Sequence, residues 1–116
     1  MILYIYSKCS TCQKALKFLE QNKLSFIRRE ITDTPPSLEE IQTMLNYQQG
    51  NLKKLFNTSG QLYQQLELSK KLNEMTLSDS LKLLSQHGML VKRPFLIEDS
   101  FGLIGFKEDE WKRIIL

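Results

Sequence analysis

Two cysteines three positions apart, directly after a short apolar run, constrain this chain more than any other feature. Cys9 and Cys12 are its only cysteines, and both lie in the stretch YSKCSTCQKAL. The preceding ILYIY is β-branched and aromatic, which is typical of a strand buried on both sheet faces. From Cys12 onward, Ala15, Leu16 and Leu19 recur with helical spacing. The cysteine pair therefore stands where a buried strand gives way to an amphipathic helix.

This spacing has three interpretations: coincidence, a zinc half-site or a redox pair. Two cysteines fall three apart by chance only seldom. Zinc needs four ligands, and the chain offers one cysteine pair plus the single His87, so a zinc site would need a second chain. A CxxC between a strand and a helix is typical of thiol–disulfide chemistry. The redox interpretation is favoured, and no metal is expected.

Composition narrows the function classes further. With 116 residues, 41% of them apolar and 25% charged, the chain predicts one compact globular domain. No apolar run approaches the roughly 18 residues of a membrane span. The 16 basic residues are scattered among 13 acidic ones, for a net charge of +3. Neither a membrane nor nucleic acid is predicted as a partner.

The first residues favour a cytoplasmic location. MILYIYSKCS has neither the basic segment nor the small-residue cleavage site of a secretory signal. In the reducing cytoplasm, a cysteine pair is more often catalytic or redox-sensing than a permanent bridge. The expectation is a cytoplasmic protein with two reactive thiols.

The middle of the chain predicts a helical insertion. SFIRREI predicts a second strand, parallel to the first, and TDTPP ends it. From 35 to 88 the apolar pattern is helical throughout, with capping boxes at SLEE (Ser37, Glu40) and TLSD (Thr76, Asp79). LKKLF and QLYQQL predict two short helices, with Asn57 in the turn between them as an N-cap. Gly88 is expected to end the last helix of the insertion.

The final segment predicts two strands and a helix. RPFLI and FGLIGF have strand character, and KEDEWKRIIL is amphipathic with acidic residues at its start. Its Trp111, Ile114 and Ile115 are expected to pack on the sheet. The whole order is β-α-β, helices, β-β-α, which predicts an α/β fold with a four-stranded mixed sheet. The core is expected at 1–34 and 89–116, interrupted by the helical insertion at 35–88.

The start of the first helix predicts how the cysteines divide the chemistry. Unpaired N–H groups and the helix dipole stabilise a thiolate there, and Lys8 adds positive charge. The more exposed Cys9 is therefore the expected nucleophile. Residues three apart share a helix face, so Cys12 is the expected resolving thiol that displaces a bound partner.

Four stretches resemble one known family: YSKCSTCQKALKFLE, LFNTSGQLYQQL, GMLVKRPFLI and LIGFKEDEW. They are similar to the family that joins glutaredoxin-linked arsenate reductases to Spx- and MgsR-type regulators. The resemblance spans nearly the whole chain and implies a thioredoxin-like (glutaredoxin-like) sheet with a helical insertion. It also implies a cis peptide between Arg93 and Pro94, with Arg93 offering a planar cation to an oxyanion or thiolate. The expected catalytic residues are Cys9, Cys12 and Arg93, and the expected substrate-binding residues are Lys8, Ser10, Thr11, Asn57 and Pro94.

Three positions depart from the reductase pattern. Arsenate reductases of this family hold the oxyanion with three arginines, and Asn57 and Phe106 replace two of them here, with Lys107 adjacent to the second. Each charge-assisted ligand contributes about 1.5–3 kcal/mol, so arsenate is expected to be a poor substrate. Cys12 stands where those reductases usually carry serine, which favours an internal disulfide as in the regulators.

Two functions from different classes follow, with a third behind them. The first is an arsenate reductase-like thiol–disulfide oxidoreductase that acts on a small-molecule or protein disulfide. It would need no bound cofactor, and glutathione, glutaredoxin or thioredoxin would restore its thiols. The alternative is an Spx-like redox-sensing regulator that binds the C-terminal domain of the RNA polymerase α subunit. The third is a protein that keeps the fold while its site is no longer used.

Overall fold

Four strands form one mixed sheet at the centre of the molecule. The structure is a computed structural model that describes all 116 residues. The strands are β1 (Ile2–Ile5), β2 (Ile27–Glu30), β3 (Phe95–Ile97) and β4 (Gly102–Ile104). Their order is β2-β1-β3-β4, with β1 parallel to β2 and antiparallel to β3, and β3 antiparallel to β4. The predicted four-stranded mixed sheet, with helices inserted between its second and third strands, is confirmed.

The crossover between β1 and β2 is the helix α1 (Ser10–Gln21). Its buried side chains form the stripe expected from their spacing, while Lys14, Lys17 and Glu20 are exposed. Burying an apolar stripe against a sheet is what stabilises a helix of this length in water. The helix start is thereby fixed at the end of β1, where the cysteines lie.

Each face of the sheet has its own core. The side chains of β1 alternate, so Leu3 and Ile5 pack under α1 and the C-terminal helix α6 (Glu108–Ile115), while Tyr4 faces the insertion. All three are at most 1% exposed. The strand is therefore buried on both faces, as its composition predicts.

Helices of different lengths build the insertion. They are α2 (Leu38–Tyr47), α3 (Gln61–Gln65), α4 (Leu68–Lys71) and α5 (Leu77–Gln86). Two 3₁₀-helices, Leu52–Leu55 and Gly88–Leu90, complete it. The sequence predicts the segment at 52–55 only as a short helix, and it does not predict α4. Glu67 separates α4 from α3 by a left-handed conformation at φ 53°, which no apolar pattern reveals.

The two predicted capping boxes differ in outcome. At the start of α2, the Ser37 hydroxyl accepts from the Glu40 N–H at 3.1 Å, and the Glu40 carboxylate accepts from the Ser37 N–H at 2.9 Å. At the start of α5, the Thr76 hydroxyl accepts from the Asp79 N–H at 3.1 Å, but the reciprocal bond is not formed. Aspartate is one methylene shorter than the glutamate that normally reaches back.

The expectation for Asn57 fails, whereas Gly88 ends α5 as expected but for a different physical reason. The N-cap of α3 is Gly60, so the prediction that Asn57 caps this helix is wrong. Gly88 follows the C-cap of α5, His87, as predicted, but its backbone is not left-handed. A side-chain carbon at Gly88 would overlap the carbonyl oxygen of Ile31. Close packing of the insertion on the end of β2 therefore explains this glycine.

The C-terminal helix packs on the sheet mainly through Trp111, which is fully buried. Ile115 is half-buried, but Ile114 is 40% exposed, so its predicted packing on the sheet is wrong. Helical spacing places Ile114 at the margin of the apolar stripe rather than at its centre. None of the helices combines the length and the hydrophobicity needed to cross a membrane.

Candidate redox site

The loop after β1 places Cys9 as the N-cap of α1. Its backbone is extended, at φ −92° and ψ 119°, and its N–H donates to the Tyr6 carbonyl at 2.9 Å. Its carbonyl accepts the first helical bond, from the Gln13 N–H at 3.1 Å. Cys12 lies in the first turn and is fully buried, whereas Cys9 is half-buried, and both are free thiols. One sulfur is thus open to a reactant while the other is covered.

The environment of Cys9 favours its thiolate. Burial alone raises the pKa of Cys9, but hydrogen bonds from the Cys12 N–H and thiol and from the Thr11 N–H outweigh it. The charge of Arg93 acts in the same direction, so the pKa of Cys9 lies below its ordinary value. The two N–H donors are among the unpaired backbone groups that every helix start offers.

Cys12 shows the opposite behaviour. Burial raises the pKa of Cys12 to about 12. A backbone hydrogen bond from Tyr6 and the charge of Arg93 act to lower this pKa, but the hydrogen bond and the negative charge of Cys9 act to raise it further. Because a thiol attacks only as a thiolate, Cys12 is unreactive while Cys9 is ionised. The two thiols therefore have distinct chemical roles.

Arg93 lies beside both cysteines. Its guanidinium carbon is 5.0 Å from the centroid of the Tyr6 ring, and its Nη1 donates to the Met89 carbonyl at 3.4 Å. Its Nε is buried and has no hydrogen-bond partner in the protein. No carboxylate forms an ion pair with it, so its positive charge remains available to an anion in the site.

Pro94 is held in place by Gly105, the residue that follows β4. The Arg93–Pro94 peptide is cis, as the resemblance implies. The Pro94 carbonyl accepts from the Gly105 N–H at 2.9 Å, and the Gly105 carbonyl accepts from the Trp111 indole N–H at 3.1 Å. Gly105 adopts φ 70°, a conformation that favours glycine. This chain of contacts links the loop before β3 to the C-terminal helix.

The insertion is tied directly to the segment before Arg93. Phe56 and Val91 form an antiparallel bridge. The Asn57 N–H donates to the Leu90 carbonyl at 2.7 Å, and the Lys92 N–H donates to the Leu55 carbonyl at 2.8 Å. These bonds bring Lys54 and Lys92, which are distant in sequence, to the same side of the site.

A cavity of about 360 Å³ adjoins the cysteine loop. It is lined by Thr11, Lys54, Lys92, Arg93, Ile104, Gly105, Phe106 and Lys107. Thr11 connects it to Cys9, because the Thr11 N–H is one of the donors to that sulfur. Sequence reasoning missed Lys54 and Lys92, since only the long-range bridge between Phe56 and Val91 places them here.

The remaining predicted site residues differ in their exposure and in whether they line the cavity. Lys8 and Ser10 are exposed on either side of Cys9. Asn57 is half-buried and does not line the cavity, so the structure does not bring it together with Thr11 and Arg93. Phe106 packs on Trp111, with ring centroids 4.9 Å apart, and gives the cavity an apolar wall. His87 is exposed at the end of α5, and no three His, Cys, Asp or Glu side chains cluster as metal ligands.

Comparison with known proteins gives the family. The model of the ArsC family matches residues 4–114, nearly the entire chain. This chain belongs to the ArsC family. Its thioredoxin-like α/β fold and the resemblance noted from the sequence are thereby confirmed.

Relatives within the family include both regulators and reductase-like proteins. The chain is 40% identical to the uncharacterised protein YusI of Bacillus subtilis over 112 residues, covering 97% of this chain and 95% of YusI. It is 29% identical to the global transcriptional regulator Spx of the same organism over 113 residues, covering 97% and 85% of the two chains. The crystal structure of a possible arsenate reductase from Streptococcus mutans UA159 matches with a TM-score of 0.87 and 35% identity, covering 96% of each chain.

Proposed function

We propose that this ArsC-family protein is a thiol–disulfide oxidoreductase in which Cys9 attacks and Cys12 resolves. The observation that carries the proposal is the opposite shift of the two thiol pKa values within one helical turn, beside the unpaired cation Arg93. Groups whose environments push their pKa values apart are typical of acid–base and nucleophilic sites. A structural cysteine pair needs neither the open sulfur nor the cation.

The reaction proceeds in two exchanges. The Cys9 thiolate attacks one sulfur of a disulfide, forms a mixed disulfide, and releases the other half as a thiolate that takes up a proton. With Cys9 no longer negative, the contribution of its charge to the high pKa of Cys12 disappears. Cys12 then loses its proton and attacks the Cys9 sulfur, which closes the internal disulfide and releases the second thiol. Two cysteine thiols are oxidised and one substrate disulfide is reduced to two thiols.

An external thiol completes the cycle. Glutathione, glutaredoxin or thioredoxin, all cytoplasmic reductants, would reduce the Cys9–Cys12 disulfide and become oxidised in turn. No bound cofactor is required for these exchanges, because the sulfur atoms carry both electrons. A cytoplasmic location is part of this proposal.

Arsenate fits the site poorly. Phe106 gives an apolar wall where the related reductases carry an arginine, and Asn57 does not line the cavity. Arg93 alone remains of the three arginines that the resemblance implies. We expect little arsenate turnover by the wild type or by Cys9→Ser, even with thiol donors present.

A trapping experiment tests the proposal. A fluorescent peptide disulfide is mixed with wild type or Cys9→Ser in the presence of glutathione and glutathione reductase, and the rate without either protein is subtracted because the reductant also reduces the peptide directly. We expect turnover above that rate by wild type and none by Cys9→Ser. Without reductant, Cys12→Ser should hold a mixed disulfide on Cys9, detected by mass spectrometry. Turnover that survives in Cys9→Ser, or no adduct in Cys12→Ser, would reject the proposed roles.

The second candidate is a redox-sensing regulator, and the similarity to Spx together with the second cysteine favours it. In this candidate the Cys9–Cys12 disulfide changes the start of α1 and thereby a protein interface. The test is retention of the reduced and oxidised protein on immobilised RNA polymerase α C-terminal domain. Redox-dependent retention supports the regulator, and equal absence of retention in both forms removes it.

A further inference from the structure

The cavity beside Cys9 is strongly cationic. We call it the lysine cavity; its cations are Lys54, Lys92, Lys107 and Arg93, and no acidic residue lines it. The ion pairs of the structure, the Met1 amine with Glu98 and Lys112 with Glu108, lie elsewhere. Four like charges around one cavity repel one another, so a bound anion would relieve this repulsion.

The cationic surface continues beyond the lysine cavity. A second cavity of about 340 Å³ shares Lys54 and Lys92 with it and adds Lys53. The two cavities therefore form one continuous strip that begins at Thr11 and extends onto the insertion. A strip of this kind can contact several carboxylates in succession, more than a single small anion would use.

The lysine cavity also offers apolar contact. Ile104 and Phe106 form part of its wall, and Phe106 is held by its packing on Trp111. The methylene groups of glutamate side chains suit such a wall, while their carboxylates reach the lysine ammonium groups. An inorganic oxyanion would leave this apolar surface unused.

We propose that the lysine cavity binds a carboxylate-rich peptide segment of a protein disulfide and so selects acidic proteins as substrates of Cys9. This proposal rests on the proposed function and specifies its substrate class. The Thr11 N–H stabilises the Cys9 thiolate while Thr11 also lines the cavity, so a segment bound there holds its disulfide next to the attacking sulfur. The redox step is unchanged: Cys9 bonds to one substrate sulfur and the other leaves as a thiol.

The test compares two peptide disulfides, one with glutamates flanking the cysteine and one with glutamines at the same positions. At low salt we expect wild type to reduce the glutamate peptide with a kcat/KM about tenfold higher, since a few exposed pairs of this kind together supply that factor. The ratio should fall towards one as salt is added. It should also fall towards one in Lys54→Gln/Lys92→Gln/Lys107→Gln.

The control is Lys70→Gln/Lys71→Gln/Lys82→Gln, which loses the same charge from exposed lysines outside both cavities. It should keep the preference of wild type. Equal kcat/KM for both peptides in wild type, or an unchanged ratio in the first triple variant, overturns the proposal. Oxidised glutathione that competes as well as the glutamate peptide would assign the cavity to a small disulfide and also overturn it.

A binding measurement separates this proposal from the proposed function. Fluorescence anisotropy of the reduced glutamate peptide with Cys9→Ser requires no redox chemistry. If neither peptide is reduced by wild type but the glutamate peptide still binds Cys9→Ser in preference to the glutamine peptide, the redox function fails and the acidic-peptide site stands. If both peptides are reduced equally and neither binds preferentially, the acidic-peptide site fails and the redox function stands.

Discussion

The guanidinium carbon of Arg93 lies 5.0 Å from the centroid of the Tyr6 ring. Tyr6 directly follows β1 and Arg93 lies two residues before β3, so this contact joins the two segments that flank the cysteine site. A cation above an aromatic face is attracted by the ring and loses part of its freedom to move into solvent. The charge that lowers the pKa of Cys9 is therefore held in place by an uncharged residue.

Removing the charge of Arg93 should slow the alkylation of Cys9. We expect Arg93→Met to raise the pKa of Cys9, because the cation that stabilises the thiolate is gone. Alkylation of Cys9 by iodoacetamide near pH 7, followed by peptide mass spectrometry, should be on the order of threefold slower than in wild type. Arg93→Lys should be intermediate, since it keeps a charge but loses the planar group that stacks on the ring.

Tyr6 should act through Arg93 rather than through its hydroxyl. Tyr6→Phe keeps the aromatic face, so the alkylation rate of Cys9 should stay near that of wild type. Tyr6→Leu removes the face, frees the guanidinium, and should slow alkylation towards the rate of Arg93→Met. If Tyr6→Phe and Tyr6→Leu slow the alkylation of Cys9 equally, the stacking explanation is contradicted. In an Arg93→Met background, Tyr6→Leu should add little further effect.

Burial of Cys12 predicts a loss of stability in mild alkali. In the unfolded chain Cys12 loses its proton near pH 8.5, whereas in the native protein its pKa is raised to about 12. Between about pH 8.5 and pH 10 the unfolded state therefore binds fewer protons, so the free energy of unfolding falls as pH rises. The slope from this one group reaches about 1.4 kcal/mol per pH unit.

Urea unfolding at a series of pH values measures that slope. In Cys12→Ala and Cys12→Ser, the free energy of unfolding should fall less steeply with rising pH than in wild type, whatever the stability of these variants at pH 7. Cys9 affects the free energy of unfolding in the opposite sense, because its pKa is lower in the native protein than in the unfolded chain. The stability that ionised Cys9 adds is present above its unfolded pKa and is lost as pH falls through its native pKa. If the free energy of unfolding falls as steeply at alkaline pH in both variants as in wild type, Cys12 is not buried and protonated in the native protein.

Local sequence signals predicted the elements well where one short pattern decides the structure. The run at Ile2–Ile5, the stripe of α1 and the Ser37–Glu40 capping box depend on neighbours within a few residues. The mixed sheet followed from the order of these elements, because a helix between two strands implies a parallel crossover. The cysteine pair is predictable for the same reason, because its two members lie within one short stretch.

The rest of the site depends on contacts between distant segments. Lys54 and Lys92 meet because Phe56 pairs with Val91, and neither lysine belongs to a motif. The sequence predicts that Gly88 ends a helix, which it does, but not that its backbone fits against the carbonyl of Ile31, which is far from it in sequence. Such approaches are set by tertiary packing, which no pattern of spacing encodes.

Gly88 should tolerate no side chain. In Gly88→Ala the new methyl group would overlap the Ile31 carbonyl, so the insertion must move away from the end of β2. We expect a loss of about 3 kcal/mol or more in the free energy of unfolding. Gly50→Ala is the matched control: its φ is 75° and nothing lies within 4 Å, so only backbone strain of about 1–2 kcal/mol applies. Equal losses in both variants would contradict the packing explanation.

A buried tyrosine joins the core to the insertion on the face opposite the cysteines. The Tyr4 hydroxyl donates to a Glu40 carboxylate oxygen at 2.6 Å and accepts from an Arg29 Nη1 at 2.9 Å. Tyr4→Phe leaves both partners without this bond and should lower the free energy of unfolding by about 1–3 kcal/mol. Tyr63→Phe is the control, because Tyr63 is also buried in this core but its hydroxyl has no hydrogen-bond partner in the protein.

The Tyr63→Phe loss should stay within about 0.5 kcal/mol in urea unfolding. Cys9 alkylation should be unchanged in Tyr4→Phe, since the sheet separates this hydroxyl from the thiols. A Tyr4→Phe variant as stable as Tyr63→Phe would show that the three-residue contact adds nothing to the attachment of the insertion. If Tyr4→Phe is stable but its Cys9 is alkylated more slowly, then β1 transmits changes at Tyr4 to the cysteine loop that follows this strand.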